Sequence, residues 1–153
     1  MNPTISTGDK APDFTAPTDQ GGQLSLASLK GKRVVLYFYP KDDTPGCTTQ
    51  ACDFRDNFAA LTSKGYEVLG VSPDGESSHQ KFKAKYDLNF TLLCDPDHTL
   101  AESYGVWREK KNYGRTYMGI VRSTFVIDAA GIVEQVLDNV RAKGHVARLM
   151  KIL

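Results

Sequence analysis

Two cysteines five residues apart, Cys47 and Cys52, stand where a thiol could do chemistry, directly after Pro40-Lys41-Asp42-Asp43-Thr44-Pro45-Gly46. Thr44 is a favourable helix N-cap and Pro45 suits the first helical position, which makes Cys47 the third residue of a helix. Its amide then belongs to the first turn, whose N–H groups lack intrahelical partners and turn the positive end of the helix toward the sulfur. The thiolate is the nucleophilic form of cysteine, and such a position favours it. Lowering a thiol pKa from about 8.5 to about 6.5 takes roughly 2.7 kcal/mol. A helix terminus supplies about 0.3 to 1 kcal/mol and at most about 2. A cation must therefore stand nearby. Arginine is the natural choice, because it keeps its charge and presents a fork of N–H donors. Arg33, Arg55, Arg108, Arg115 and Arg122, among others, all remain open on these grounds.

Cys47 also heads the stripe Ala51, Phe54, Phe58 and Leu61, spaced by three and four, so it faces the protein body. On position alone, a free cysteine on an apolar face is as readily inert core as nucleophile; the residues in front of it point to the second. Cys52 lies beside Asp53, Arg55 and Asp56, well round the helix and more exposed. On an intact helix the two Cα atoms are roughly 8 to 9 Å apart, beyond the approximate 6.8 Å limit for a disulfide. A bond between them requires the helix to unwind locally; the hypothesis that follows is that Cys47 reacts while the helix is formed and the first turns then melt. Cys94, at the end of a short strand, reads as a small buried hydrophobe.

Other chemistries lack their residues. There is no Cys-x-x-Cys for ordinary dithiol exchange, and Cys-x4-Cys with His79, His98 and His145 scattered elsewhere gives no zinc spacing. No phosphate-binding glycine loop or Gly-x-Ser-x-Gly elbow is found. The three histidines read as surface or capping residues, Trp107 as a packing residue, and Lys110-Lys111 as a solvated face.

The elements that must position these residues alternate in type. Arg33 to Tyr39 is a β-branched and aromatic run, as expected of a strand buried on both faces. The Cys47 helix follows and runs to about Lys64-Gly65. Tyr66 to Ser72 reads as a second strand, Glu76 to Tyr86 as a polar surface helix, and Thr91 to Cys94 as a short strand ended by the turn Asp95-Pro96-Asp97. A short helix spans about Leu100 to Tyr104. Ser123 to Asp128 and Ile132 to Val136 flank Ala129-Ala130-Gly131 as a hairpin, and His145 to Leu153 closes as a helix. A parallel βαβ half joined to an antiparallel hairpin predicts an α/β thioredoxin-like fold, with a mixed central sheet flanked by helices and an N-terminal extension.

At 153 residues, 41% apolar and 24% charged, without repeats or linkers, the chain is expected to form one domain over residues 1–153. Nineteen Lys and Arg against 18 Asp and Glu leave a charge of +1, so no one-sided field points to nucleic acid, anionic membrane or a polyanionic substrate. Met1 to Ser6 lacks the basic and apolar regions of a secretory leader, and no apolar stretch approaches a membrane span. A cytoplasmic, soluble protein of a reducing compartment is expected, in keeping with an odd number of cysteines.

Taken together, Pro40-x-x-x-Thr44-x-x-Cys47 resembles the active-site signature of the peroxiredoxins. Tyr37-Phe38-Tyr39-Pro40-Lys41 and Thr44-Pro45-Gly46-Cys47-Thr48 resemble the bacterioferritin comigratory protein, or peroxiredoxin Q, branch. The likeness also takes in Gly8-Asp9-x-Ala11-Pro12-Asp13-Phe14, Asn89 to Leu93, Tyr104-Gly105-Val106-Trp107 and Arg122 to Asp128, and so covers nearly the whole chain. The resemblance implies a thioredoxin fold that reduces hydrogen peroxide and organic hydroperoxides without metal or bound cofactor, in antioxidant defence. It implies that Cys47 is the peroxidatic cysteine, that Thr44 bonds the peroxide, that Pro40 shields the site, and that Arg122 is the required cation. It further implies that Cys52 resolves the Cys47 sulfenic acid as an intrachain disulfide, reduced by thioredoxin or a related dithiol, and that the protein is a monomer. Two rivals use the same fold: a general thiol-disulfide oxidoreductase or holdase, against which the missing Cys-x-x-Cys speaks, and a binding module with a structural Cys47, against which Pro40 and Thr44 speak.

Overall fold

The computed structural model describes residues 5–153; residues 1–4, part of the stretch read for a leader, lie outside the described residues. In chain order the elements are β1 (Thr15–Pro17), β2 (Gln23–Ser25), a 3-10 turn (Leu26–Leu29), β3 (Arg33–Phe38), α1 (Pro45–Asp56), α2 (Phe58–Ser63), β4 (Tyr66–Ser72), α3 (Glu76–Tyr86), β5 (Thr91–Cys94), α4 (Thr99–Ser103), β6 (Trp107–Asn112), β7 (Arg115–Ile120), β8 (Ser123–Ile127), β9 (Val133–Leu137) and α5 (His145–Ile152).

The central sheet has the order β5-β4-β3-β8-β9. β3 pairs parallel with β4 and antiparallel with β8, so it carries neighbours on both edges. Alternation along β3 divides its side chains between two cores. Val34, Leu36 and Phe38 pack with Phe125, Ile127, Leu93, Tyr104 and Phe14 on one face. Val35 and Tyr37, with Tyr39 just beyond the strand, pack on the other face with Cys47, Ala51 and Phe54 of α1, Phe82 of α3 and Val146 and Leu149 of α5. Both faces are covered, which is why the strand is an unbroken apolar run. Gly70 of β4 lies opposite Tyr37 in register. A Cβ there would sit 3.0 Å from both the Tyr37 ring and Leu92 Cδ2, so the phenol ring lies directly on the backbone of β4.

The expected single helix to Lys64-Gly65 is two helices. At Asn57 (φ −105°, ψ 7°) the side-chain amide takes the Asp53 carbonyl at 2.8 Å, while the backbone N–H is divided between Asp53 and Phe54 carbonyls at 3.2 Å each. The asparagine competes for helix carbonyls, and α1 stops there. α2 does end as expected, with Gly65 left-handed at φ +83°. Two antiparallel hairpins outside the main sheet were not expected. One is β1–β2 near the start; the other is β6–β7, turned by Tyr113 (φ +51°) and Gly114 (φ +76°). The second is mostly exposed on both faces, so it carries little of the apolar alternation by which strands are read. Among the described residues no helix is long and apolar enough to cross a membrane.

Candidate active site

β3 delivers the chain to the C-terminal end of the sheet, where Tyr39 N still bonds Val71 O at 3.0 Å. Pro40 follows, half-buried, and opens the loop into α1. Thr44 takes the extended N-cap conformation (φ −99°, ψ 156°), Pro45 is the first helical residue, and the first helical bond runs from Thr48 N to Thr44 O at 2.8 Å. Cys47 is thus the third helical residue, as its spacing predicts. Thr44 caps by backbone position alone: its hydroxyl donates to Lys41 O at 2.9 Å instead of accepting from the first turn. The hydroxyl oxygen keeps its acceptor capacity in the loop facing the helix start.

Cys47 is 2% exposed. Arg122, in the short link between β7 and β8, places Nη2 3.3 Å from Cys47 Sγ and Nη1 2.5 Å from Gln50 Oε1. Its carbonyl is held by Val140 N at 2.9 Å. Of the arginines left open by the sequence, Arg122 is the one brought onto the sulfur. The guanidinium thus meets the sulfur from one side and the start of α1 from another. Gly46 makes room for this contact, since a Cβ there would lie 3.3 Å from Arg122 Nη2 and 3.5 Å from Ala142 Cβ.

Sequence reasoning missed Gln50. It is fully buried one turn along α1 from Cys47 and fixes the other limb of the Arg122 fork. The available signal was a long polar side chain beside Ala51 on the apolar stripe. Lys110 was also misread as solvated: it is half-buried, and its Nζ donates to Ile120 O at 2.7 Å. Burial first, then the Arg122 charge, lower its pKa, with Cys47 acting in the opposite sense. Behind the sulfur, Tyr37 stacks on Phe54 at 4.5 Å. Burial, then the charge a Cys47 thiolate adds, hold its phenol well above the ordinary tyrosine range, so it remains a neutral O–H. Among the described residues, Tyr37 Oη and Gln50 Nε2 are buried without a hydrogen-bond partner.

Cys52 is half-buried on the same unbroken α1, and all three cysteines are free thiols. Cys94 is buried at the end of β5, as expected of a small hydrophobe. Burial, then the charges of Glu76, Asp19, Asp42 and Asp74, push its thiol up to about 11. The histidine reading needs correction, because His79 and His145 are both fully buried. Each has a polar partner that sequence spacing cannot show: Asp42 and Leu93 O for His79, and Thr124 for His145. His98 sits at the start of α4 and stacks on Trp107 at 3.7 Å. Among the described residues no group of three or more His, Cys, Asp or Glu side chains is arranged to hold a metal ion.

Residues 7–136 match the model of the AhpC/TSA family. The putative peroxiredoxin bcp of Coxiella burnetii is 54% identical over 147 residues, 96% of this chain and 97% of the relative. The peroxiredoxin Bcp of Bacillus subtilis is 50% identical over 98% of this chain and 96% of its own. Among solved structures, the bacterioferritin comigratory protein of Xanthomonas campestris, studied for alkyl peroxide reduction, superposes with a TM-score of 0.89 at 35% identity, over 97% of this chain and 94% of that one. A PrxQ variant of Xylella fastidiosa superposes with a TM-score of 0.92 at 30% identity over the same shares. The thioredoxin-like fold expected from the element order is therefore the fold of these relatives. A chain so matched in sequence over nearly its whole length, and in overall fold, belongs to the AhpC/TSA family and, within it, to the Bcp or peroxiredoxin Q branch of thiol-dependent peroxidases.

Proposed function

We propose that Cys47 is the peroxidatic cysteine and that Cys52 resolves it, in one domain spanning the chain that reduces hydrogen peroxide and organic hydroperoxides. The observation that carries this reading is the Arg122 Nη2 to Cys47 Sγ contact of 3.3 Å at the first turn of α1. The Cys47 thiolate attacks one peroxide oxygen; the O–O bond breaks, and the other oxygen leaves with a proton as water or alcohol. Cys47 becomes a sulfenic acid. Arg122, the Cys47 amide and the Thr44 hydroxyl stabilise charge on the two oxygens, and Pro40 covers the loop side of the thiol.

The Cys52 thiol then attacks the sulfenic sulfur, forming the S–S bond and releasing water. Cys52 supports this role by its place on α1 and its partial exposure. Buried Cys94, held in its thiol form, does not compete. Thioredoxin or a related dithiol returns both cysteines to thiols. The alkyl peroxide chemistry of the Xanthomonas campestris relative supports an organic hydroperoxide as substrate here. The protein works as a monomer in the cytoplasm, in antioxidant defence.

The test is to treat the reduced protein with one equivalent of hydrogen peroxide and map oxidised peptides by mass spectrometry. Stoichiometric Cys47–Cys52 bonding is the expected result. Slow oxidation scattered over Cys47, Cys52 and Cys94 would remove Cys47 from the role of nucleophile.

A further inference from the structure

Asp42 has no part in the peroxide chemistry, yet it is buried in the loop that leads to Cys47 and is surrounded by donors. Tyr39 Oη donates to its Oδ1 at 2.6 Å, and Ser78 Oγ donates to its Oδ2 at 2.8 Å. His79 Nδ1 lies 2.7 Å from the same Oδ2. The other ring nitrogen, Nε2, lies 2.8 Å from the Leu93 carbonyl, which can only accept. Nε2 therefore carries a proton. A second proton must stand between Nδ1 and Oδ2, on one or the other, because a bare nitrogen lone pair facing a buried carboxylate would be doubly unsatisfied.

The following residue is gripped as well. Asp43, left-handed at φ +56°, accepts from Lys85 Nζ at 2.8 Å and Tyr86 Oη at 2.7 Å. One helix, α3, thus holds two consecutive residues of the Cys47 loop, by Ser78 and His79 near its start and by Lys85 and Tyr86 at its end. Asp74, just before α3, adds a third hold by accepting from Asp42 N at 2.7 Å.

We propose that this clamp of α3 on Asp42 and Asp43 is a latch that keeps the Cys47 loop in its peroxide-reducing form and so governs how readily oxidised Cys47 is released to Cys52. The inference rests on the reading of Cys47 and Cys52 given above. A Cys47 sulfenic acid has two fates. Attack by the Cys52 thiol forms the S–S bond, breaks the S–O bond and expels water, and needs the first turns of α1 to open. Attack on a second peroxide adds its oxygen to make the sulfinic acid and releases water or alcohol, and proceeds with the helix folded. A tight latch favours the second fate and a loose one the first. Asp42 and His79 are positioning residues, acting through the loop.

The groups facing His79 are Asp42 from the loop, Asp74 from the β4–α3 link, Tyr39 just after β3 and the Leu93 carbonyl of β5. Burial alone would lower the His79 pKa; the hydrogen bond and charge of Asp42, with the Leu93 carbonyl and Asp74, outweigh it and raise the pKa above the ordinary value. A raised value in the closed form means that the latch is complete below about pH 6.5 and is lost as pH climbs through the raised value.

The test cycles the full-length protein with dithiothreitol and increasing hydrogen peroxide at about pH 6 and about pH 8, which bracket an ordinary histidine. Mass spectrometry counts Cys47 sulfinic acid against the Cys47–Cys52 bond. Asp42→Asn and His79→Gln are compared with wild type. Tyr86→Phe, which removes one hydroxyl at the exposed end of the clamp, carries the same test if the buried variants fold poorly. At about pH 6 the variants should need at least about threefold more peroxide for half conversion to sulfinic acid, as loss of a hydrogen bond to a charged group allows. Wild type should move toward them as pH rises through the raised His79 value. Folded variants with the wild-type threshold at both pH values would overturn the latch alone. A wild type that never forms the Cys47–Cys52 bond would overturn the reading of the site and the latch with it.

Discussion

Replacing Gly46 by Ala should make this protein more stable and less active at once. Gly46 has no left-handed backbone demand and lies in the first turn of α1, where Ala is favoured over Gly by up to about 1 kcal/mol. In a chain of this size that gain is worth roughly 1 to 4 °C in Tm. The added methyl, however, lies 3.3 Å from Arg122 Nη2, the nitrogen that donates to Cys47 Sγ. Arg122 has little freedom to retreat, because Nη1 is tied to Gln50 and its carbonyl to Val140 N. The guanidinium must give by a few tenths of an ångström, along or across the contact that matters. A hydrogen bond involving a charged group is worth about 1.5 to 3 kcal/mol. Forfeiting about 1 kcal/mol of it slows the step about fivefold. The second-order rate constant, measured by rapid mixing with peroxide and alkylation of the remaining Cys47 thiol, should therefore fall by roughly 3 to 10-fold. An unchanged rate constant would refute the claim that the Nη2 contact drives the first step. Activity and Tm falling together would show instead that the methyl strains the fold.

The other expectations concern the remaining thiols, the sheet and the second buried histidine. Cys94→Ser should keep dithiol-driven turnover, at a stability cost of about 1 to 3 kcal/mol for the buried hydroxyl, whereas Cys52→Ser should still consume peroxide at Cys47 but fail to cycle; equal loss of cycling in both would sink the assignment. Gly70→Ala puts a methyl 3.0 Å from Tyr37 and Leu92 and should cost about 1 to 3 kcal/mol in urea unfolding, while a neutral result would mean that the Tyr37 ring can slide. Burial, then the charges of Arg148 and Arg122, lower the His145 pKa to about 4. The unfolded residue binds its proton near pH 6.5, so stability is complete above that value and is lost as pH falls toward about 4. His145→Gln should flatten that part of the stability profile, and an unchanged slope would assign the acid sensitivity elsewhere.

What the residues disclosed in advance follows from how local each signal is. The β3 run, the cap at Thr44-Pro45, α3, β5 and the Gly131 turn each rest on neighbours within a few positions, and all fall where expected within a residue or two. Thr44 shows the limit of such reading: the capping position is right, but the hydroxyl prefers Lys41 O, a choice made by loop geometry. The β6–β7 hairpin escaped because exposure on both faces erases its periodicity, and the break at Asn57 because one side-chain amide overrode an apolar stripe that continues through it. Arg122 could be named only by family likeness, since 75 residues separate it from Cys47. Gln50, Lys110, Asp42 and His79 stayed hidden because their roles are pairwise contacts across elements. Polar residues at such positions look like solvated surface until the fold closes over them.

Placing Cys47 and Cys52 on one unbroken helix would make the voltage of the proposed dithiol pair a gauge of folding. A bond between them exists only at the expense of α1, so the free energy of that helix enters the reduction potential directly. Each 1.4 kcal/mol by which the intact helix is stabilised makes the couple about 30 mV more oxidising. Substitutions that strengthen α1 without touching sulfur thus make the oxidised protein easier to reduce. The reductants able to recharge it are selected in part by helix propensity.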